Sequence, residues 1–487
     1  MRRSRSLVII GGGPAGIAAA TEAARAGLSC TLIDEAPWLG GQIYRQPPQG
    51  FQVKDAPALG KDFIRGERLR AEFDEIADRV EVLSETAVLG VWGGRELLWA
   101  SGGTSGIIHA ERLIIATGAY ERPVPFPGWT LPGVMAAGGI QTLMKTMQVR
   151  PGRRAIVAGT GPLILGVANR LHEIGVEVVA VLEAGKPSWS PDAFVKEWSE
   201  WDFVTDMWDN WQGLRSAAIP LLGNHTVFEA HGHDEVEGAS YGPVDPYDWR
   251  PLKEQVRTVE VDLVCIGFGF VPNTELTELA GCRHQYVHEL GGWVPIRDVM
   301  MQTTVPGVFA VGDGAGIAGA LVAVEAGRVA GITAAEQAEA ISAEEAAKRR
   351  ATPLTRLRQL AQVRKSLDEM SWIRPGLLHL ATPETLVCRC EEIALTEVQT
   401  ALDEGARDLQ AVKLLTRLGM GPCQGRNCAS SMGRYLCHVT GRTPEQVGRI
   451  NPRPPIKPVA LGALAHAEAI AEVEAGDPLD GINRGGQ

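Results

Sequence analysis

Four cysteines in two close pairs, Cys388-Arg-Cys390 and Cys423-Gln-Gly-Arg-Asn-Cys428, carry the most evident chemistry in this chain. Four thiolates can hold a [2Fe–2S] cluster. Zinc is the rival, since thiolates suit both ions. A Cys-x-Cys pair is tighter than the spacing usual in zinc sites, and the glycines around Cys423 would free backbone N–H groups to bond cluster sulfurs. The pattern favours the cluster over zinc, and either over a metal-free tetrad. As metal ligands we therefore take Cys388, Cys390, Cys423 and Cys428.

A second chemistry lies at the other end of the chain. Leu7-Val-Ile-Ile10 reads as a buried strand, and Ile17 to Ala26 as a helix. Between them, Gly11-Gly-Gly13-Pro14-Ala15-Gly16 supplies GxGxxG in its proper strand–turn–helix context. Gly11 permits the turn, Gly13 the approach of a pyrophosphate to a helix N-terminus, and Gly16 close helix–strand packing. The next strand, Cys30-Thr-Leu-Ile33, ends at Asp34-Glu35, where a carboxylate for ribose hydroxyls is expected. Strand alternation favours Asp34, with Glu35 the fallback. Gly40-Gly41-Gln42, the strand ending Ala116-Thr117-Gly118, and the later strand ending Gly312-Asp313 follow in the order typical of flavin disulfide-reductase-like enzymes. Each alone could be a turn; together they point to FAD.

A second glycine turn is defective. The strand Arg154–Ala158 leads into Gly159-Thr-Gly161-Pro-Leu-Ile164, where Ile164 replaces the third glycine. A β-branched residue there should push helix from strand and crowd a dinucleotide. Glu183 ends the following strand and would repel the 2′-phosphate of NADP. The motif reads as a retained scaffold rather than an NAD(P) site, although NAD(H) in an altered geometry is the competing reading. The domain carries no Cys-x-x-Cys, which excludes a thioredoxin-reductase-type disulfide relay.

These sites require an α/β fold: two Rossmann-like dinucleotide-binding domains of the flavin disulfide-reductase type, plus a small helical cysteine domain. We expect the FAD domain to be discontinuous, at 1–125 and 255–335. The second Rossmann-like domain is expected at 126–254, a helical linker at 336–382, the cysteine domain at 383–450 and a tail at 451–487. Asp262 to Asn273 reads as the strand returning to the first domain. Phe194, Trp198, Trp201, Trp208 and Trp211 recur at helical spacing, as a helix packed on its own domain or a contact between subunits. His225, His231 and His233 fall in an irregular Gly-containing stretch and read as loop residues rather than metal ligands. Cys30 and Cys265 sit in apolar strands as packing residues. No nucleophile–base pair or paired carboxylates suggest a substrate-oxidising site, so no catalytic residue is assigned.

The whole chain bounds the partners. Its 487 residues allow two to four domains, and its 45% hydrophobic and 22% charged content is that of a soluble globular protein. A net charge of −11 argues against nucleic acid or an anionic membrane as main partner. Eight cysteines, clustered, favour a metal site in a reducing compartment over a disulfide scaffold. Met1-Arg-Arg-Ser-Arg before an apolar run imitates a signal peptide, but the glycine turn explains that run better. The expectation is cytoplasmic, with peripheral contact at the inner membrane left open.

With these residues in view, the chain resembles the FAD-binding α subunits of bacterial heteromeric opine and amino-acid dehydrogenases. That family includes octopine/nopaline oxidases, dye-linked proline or hydroxyproline dehydrogenases and hydrogen cyanide synthase. The resemblance runs from Leu7 to about Asn451. Its most specific parts are Gly40-Gly-Gln-Ile-Tyr-Arg45, Ala158-Gly-Thr-Gly-Pro-Leu163 and Gly421-Pro-Cys-Gln-Gly-Arg-Asn-Cys428. The C-terminal unit resembles bacterioferritin-associated-ferredoxin-like [2Fe–2S] domains. Those commonly close with Cys-x2-Cys, whereas four residues separate Cys423 from Cys428 here.

The resemblance implies a division of labour. A D-amino-acid-oxidase-like β subunit would oxidise the C–N bond on its own flavin. This chain would pass the electrons towards a quinone or other acceptor. Some members of the family include a small ferredoxin-like subunit or a further flavin (FMN) where subunits meet. The alternatives are an NAD(P)H-dependent flavin reductase feeding the cluster, a hydrogen cyanide synthase subunit, and a redox or iron sensor without turnover.

Overall fold

The computed structural model describes residues 3–48, 50–51, 53, 59–186 and 201–465, with the backbone alone for 3, 201–204 and 363–371. The first glycine turn sits at the centre of a five-stranded parallel sheet. Leu7–Ile10 lies between Leu113–Ile115 and Cys30–Ile33, with Val308–Ala310 and Val80–Leu83 at the edges. Both faces are covered, which is why Leu7-Val-Ile-Ile10 is apolar without alternation. The helix Pro14–Arg25 covers one face and packs on Ala320–Gln337. That approach is close because both helices present small residues: a Cβ on Gly327 or Gly331 would overlap the Ala15 or Ala19 carbonyl.

A second parallel sheet holds Arg154–Gly159 between Glu177–Glu183 and Leu263–Gly267. The α/β expectation of two Rossmann-like domains therefore holds. One assignment changes. Leu263–Gly267, expected as the strand returning to the first domain beyond a boundary at 254, is a central strand of the second sheet. The return is made by Phe270–Pro272, which pairs antiparallel with Ala119–Glu121 to form a two-stranded interdomain ribbon. A strand buried on both faces reads alike in either sheet, so pattern alone could not allot it.

The expected start of the linker also shifts. Helix Ala320–Gln337 belongs to the first domain through its last turn, and Ala343–Ser371 follows, capped by Ser342. Arg350 docks that helix through Glu336 and Thr333. His225 and His231 lie at the two ends of a strand, His225–His231, that is bulged between Val227 and Glu229 within a three-stranded antiparallel sheet. Their ring nitrogens bond the Gly223 carbonyl (2.7 Å) and the Ser240 hydroxyl (2.6 Å), so they do not converge.

Phe194 and Trp198 lie outside the described residues, and so does the side chain of Trp201. Trp208 and Trp211 sit on helix Trp201–Ser216 with ring centroids 5.1 Å apart, Trp208 being 46% exposed. Buried Met207 and Leu214 anchor the helix. Lys61 and Arg65 of the first domain pair with its Asp206 and Asp209 at 2.8–2.9 Å.

The cysteine unit is built on helices Leu395–Asp403, Leu409–Thr416 and Ala429–Thr440. Glu397 caps the first through the Ala394 N–H and Asp408 caps the second. Val387, Val398, Val412, Leu418 and Leu436 form a core of their own around Cys388 and Cys428. The chain then turns back over the first domain. Ile456 is buried in that domain's core, its N–H donating to the Leu89 carbonyl at 2.9 Å, and Lys457 pairs with Glu35. Residues 451–465 are thus a strap tying the cysteine unit to the first domain. No described helix is long and apolar enough to cross a membrane.

Candidate functional site

The loop after Ile33 folds back on the first glycine turn. Gly11 N–H donates to the Ile33 carbonyl, and Gly40 N–H to Gly12 (both 2.8 Å). A Cβ on Gly16 would overlap the Gly11 carbonyl, so that glycine is required for helix–strand packing. Gly13 differs: its own Cβ would meet only the Gly41 Cα, at 3.8 Å. Space therefore lies over Gly13 at a helix N-terminus, where a pyrophosphate needs it.

Asp34 is turned into this turn. Its carboxylate accepts the Gly12 and Ala36 N–H groups, and burial raises its pKa despite those bonds. Glu35 faces outward to Lys457. Gln42 is exposed on the same loop. At the far end, Thr117 Oγ1 donates to the Asn273 carbonyl (2.8 Å) and Asn273 N–H to Gly118 (3.0 Å). Asp313 receives the Ala318 and Gly319 N–H groups at 2.9 and 3.0 Å. Gly312 approaches Ala15, so the early and late motifs meet at one helix N-terminus. Ala116 lies beside Gly11: a Cβ on that glycine would overlap the Ala116 carbonyl. The strands thus bring together residues far apart in the sequence.

The second turn is closed. Ile164 is fully buried and its Cγ2 lies against Gly159 and Gly267. Glu183 is also buried, and its carboxylate accepts Gly161 N–H and Gly185 N–H, both at 3.0 Å. Burial raises its pKa to about 7 against those bonds. The folded chain therefore holds a proton that the unfolded chain releases. Stability from this group is full below the ordinary glutamate range and is lost as pH rises through about 7. The loss is on the order of 3 kcal/mol at ~1.4 kcal/mol per pKa unit. Glu183→Gln is expected to flatten that fall, seen as a smaller difference in Tm between about pH 5 and about pH 8 than in the wild type. An unchanged difference would place the titration elsewhere.

The four cysteines lie in a row of neighbouring thiols. Cys388 and Cys390 Sγ are 4.0 Å apart, Cys390 and Cys423 Sγ 3.5 Å apart, and Cys428 bonds Cys388. Cys388 and Cys428 are buried; Cys390 and Cys423 are half-buried. The Cys428 thiol and the backbone N–H groups of Gly419 and Glu391 hold Cys388 down at about 5. Cys428 is raised by its bond to Cys388 and by burial, and burial takes Cys390 up to about 12. The sulfurs thus form a chain of neighbours that resists becoming four thiolates without a cation among them. Among the described residues no three such donors converge on one ion position. A single tetrahedral zinc would need all six sulfur pairs at roughly 3.8 Å, given Zn–S near 2.3 Å. Four such thiols are the donor set of thiolate-held iron or zinc.

Sequence reasoning missed the contacts between the sites. Arg426, inside the cysteine loop, donates to the Tyr120 hydroxyl (2.7 Å) and pairs with Glu275 (3.2 Å). Tyr120 lies on the ribbon two residues after Gly118, so the cysteine loop touches the strand that ends the first site. Glu121, facing the other way, accepts Gly138 N–H at 2.9 Å beside Arg45. Alternation along the ribbon could have signalled these opposite faces; their partners could not be read.

Two Rossmann-like domains joined by a ribbon, with an open glycine turn in the first, define a flavin disulfide-reductase-type oxidoreductase. Residues 5–337 match the pyridine nucleotide-disulphide oxidoreductase family, and residues 382–468 match the sarcosine oxidase A3 domain. The chain is 36% identical to the HcnB subunit of hydrogen cyanide synthase from Pseudomonas aeruginosa, over 94% of this chain and 97% of that protein. It is 32% identical to the A component of opine oxidase from Agrobacterium tumefaciens, over 97% of this chain and 95% of that one. L-proline dehydrogenase from P. horikoshii shares the fold: TM-score 0.66 and 23% identity, covering 95% of this chain and 80% of that one. The chain belongs to the pyridine nucleotide-disulphide oxidoreductase family, in the branch that holds HcnB of hydrogen cyanide synthase and the A component of opine oxidase.

Proposed function

We propose that this chain is the electron-transferring subunit of a heteromeric amine, opine or amino-acid dehydrogenase. It receives electrons from a substrate-oxidising, D-amino-acid-oxidase-like partner and hands them towards a quinone or other acceptor. FAD would be held by the turn Gly11–Gly16, with Asp34 or Glu35 at the ribose, the loop Gly41-Gln42, Ala116-Thr117-Gly118, and Gly312-Asp313. Cys388, Cys390, Cys423 and Cys428 would hold a [2Fe–2S] cluster. Bound there, FAD supplies two-electron chemistry and the cluster one-electron chemistry. An interfacial FMN and a small ferredoxin-like protein are further parts of this reading.

The observation that carries it is the contact of Arg426 with Tyr120 and Glu275. It binds the cysteine loop to the strand end beside Thr117 and Gly118. The strap through Ile456 holds the two domains at that contact.

The residues of the second glycine turn support an electron source other than NAD(P)H. Ile164 fills the packing position and Glu183 is folded inward on its own turn. Anaerobic addition of NADH to the isolated chain is expected to leave the flavin band unbleached over minutes. Adding the co-purifying partner with its amine, opine or amino-acid substrate should bleach it. Rapid bleaching by NADH alone would favour the flavin-reductase reading instead.

A further inference from the structure

A cavity of about 510 Å³ opens between the interdomain ribbon, the hairpin His284–Val287/Gly292–Pro295 and the cysteine unit. Its walls are strongly basic although the chain as a whole carries −11. Arg122, Lys413, Arg426, Arg434, Arg449 and Arg453 line it, against two carboxylates, Glu275 and Glu278. Those two are already engaged: Glu275 with Arg426 at 3.2 Å and Glu278 with Arg449 at 3.1 Å.

The remaining guanidinium charge is without a carboxylate among the described residues. Arg122 spends one Nη on the Phe270 and Gly291 carbonyls, and Arg434 spends one on Ile373. The polar groups facing Arg434, Tyr286 and Cys437, are both held in their neutral forms by burial. Burial, with Arg434 adding a like charge beside it, pushes Arg122 down to about 10. Buried N–H groups of Arg122 (Nε), Arg426 (Nη2) and Arg449 (Nη1) have no partner among the described residues. Burying like charges around one cavity is costly unless an anion compensates them. Guanidinium groups suit planar or tetrahedral oxyanions, which they can grip with two N–H groups. Tyr286 and Trp293, 5.8 Å apart edge to face, add an aromatic wall for an organic body.

We infer that this cavity binds a small organic anion through its carboxylate or phosphate oxygens, held by Arg122, Arg434, Arg426 and Arg449. The site is separate from the glycine turn. It lies beside the Tyr120–Arg426 contact, so its occupant would brace the cysteine loop against the ribbon.

Titration calorimetry of the intact chain at low salt, with inorganic phosphate and separately with citrate, tests this. At least one is expected to bind saturably. Tighter phosphate binding assigns a phosphate ester, and tighter citrate binding assigns a carboxylate. Two variants should each weaken binding about tenfold or more. Arg434→Gln removes one guanidinium. Ser430→Glu adds a negative charge on the wall, in the first turn of helix Ala429–Thr440, where an acidic residue suits the helix. The serine variant removes no hydrogen bond that shapes the cavity, so it decides the question if the arginine variant does not fold. Lack of saturation with both anions, or undiminished affinity in the folded variants, would overturn the proposal. Anion bound instead at the glycine turn would appear as the latter result.

Discussion

Cys428→Ser is expected to purify with its flavin and without iron. Cys428 is fully buried, lies in the core of the cysteine unit and bonds Cys388. Serine is close in volume, so the unit should keep its fold. Its hydroxyl is a poor ligand for iron, which prefers thiolate here. A lost ligand in the most enclosed position cannot be replaced from solvent without opening the core around Val398, Val412 and Leu436. Iron content should fall at least about tenfold, the lower end of what is lost when only a residue supporting a ligand is changed. Flavin absorbance should persist, because the glycine turn lies in another domain with its own core. Iron by plasma emission and flavin by absorbance, on anaerobically purified protein, read both arms. Zinc without iron in the wild type would replace the cluster by a structural ion. Iron retained in the variant would remove Cys428 from the ligand set.

That separation of cores explains what the sequence disclosed. The first sheet was legible because a strand buried on both faces is continuously apolar, and because Gly11, Gly13 and Gly16 each answer a different steric demand. The helical character of the cysteine unit was legible, while the cap at Asp408 appears only in the folded chain. The allocation of Leu263–Gly267 was not legible, since two parallel sheets place the same demand on such a strand. Nor was the strap: Asn451-Pro-Arg-Pro-Pro-Ile456 has no periodicity, and its course is fixed by tertiary contacts to Leu89 and Glu35. The inward turn of Glu183 is a matter of side-chain direction, which strand alternation does not decide. The cavity arginines are scattered from 122 to 453 and gather only when ribbon, hairpin and cysteine unit pack together.

Gly13→Val should empty the flavin site while leaving the fold intact, and the neighbouring glycines make this a sharp test. At Gly13 the backbone is extended, φ −77° and ψ −174°, a conformation valine adopts readily. The new Cβ would meet nothing nearer than Gly41 Cα at 3.8 Å. The branched methyls would instead enter the space that a pyrophosphate needs against the helix N-terminus. Flavin occupancy is expected to fall to a small fraction of wild type, with the circular dichroism spectrum unchanged. Gly16→Val is the contrast. Its Cβ would overlap the Gly11 carbonyl within the fully buried seam of helix and sheet, so the chain should lose soluble expression rather than cofactor alone. If Gly13→Val retained its flavin, the dinucleotide would have to lie elsewhere, and the assignment of Gly312-Asp313 to the same site would fail with it. If both variants folded and both lost flavin equally, Gly16 would be acting on the ligand rather than on packing, against the overlap its position imposes.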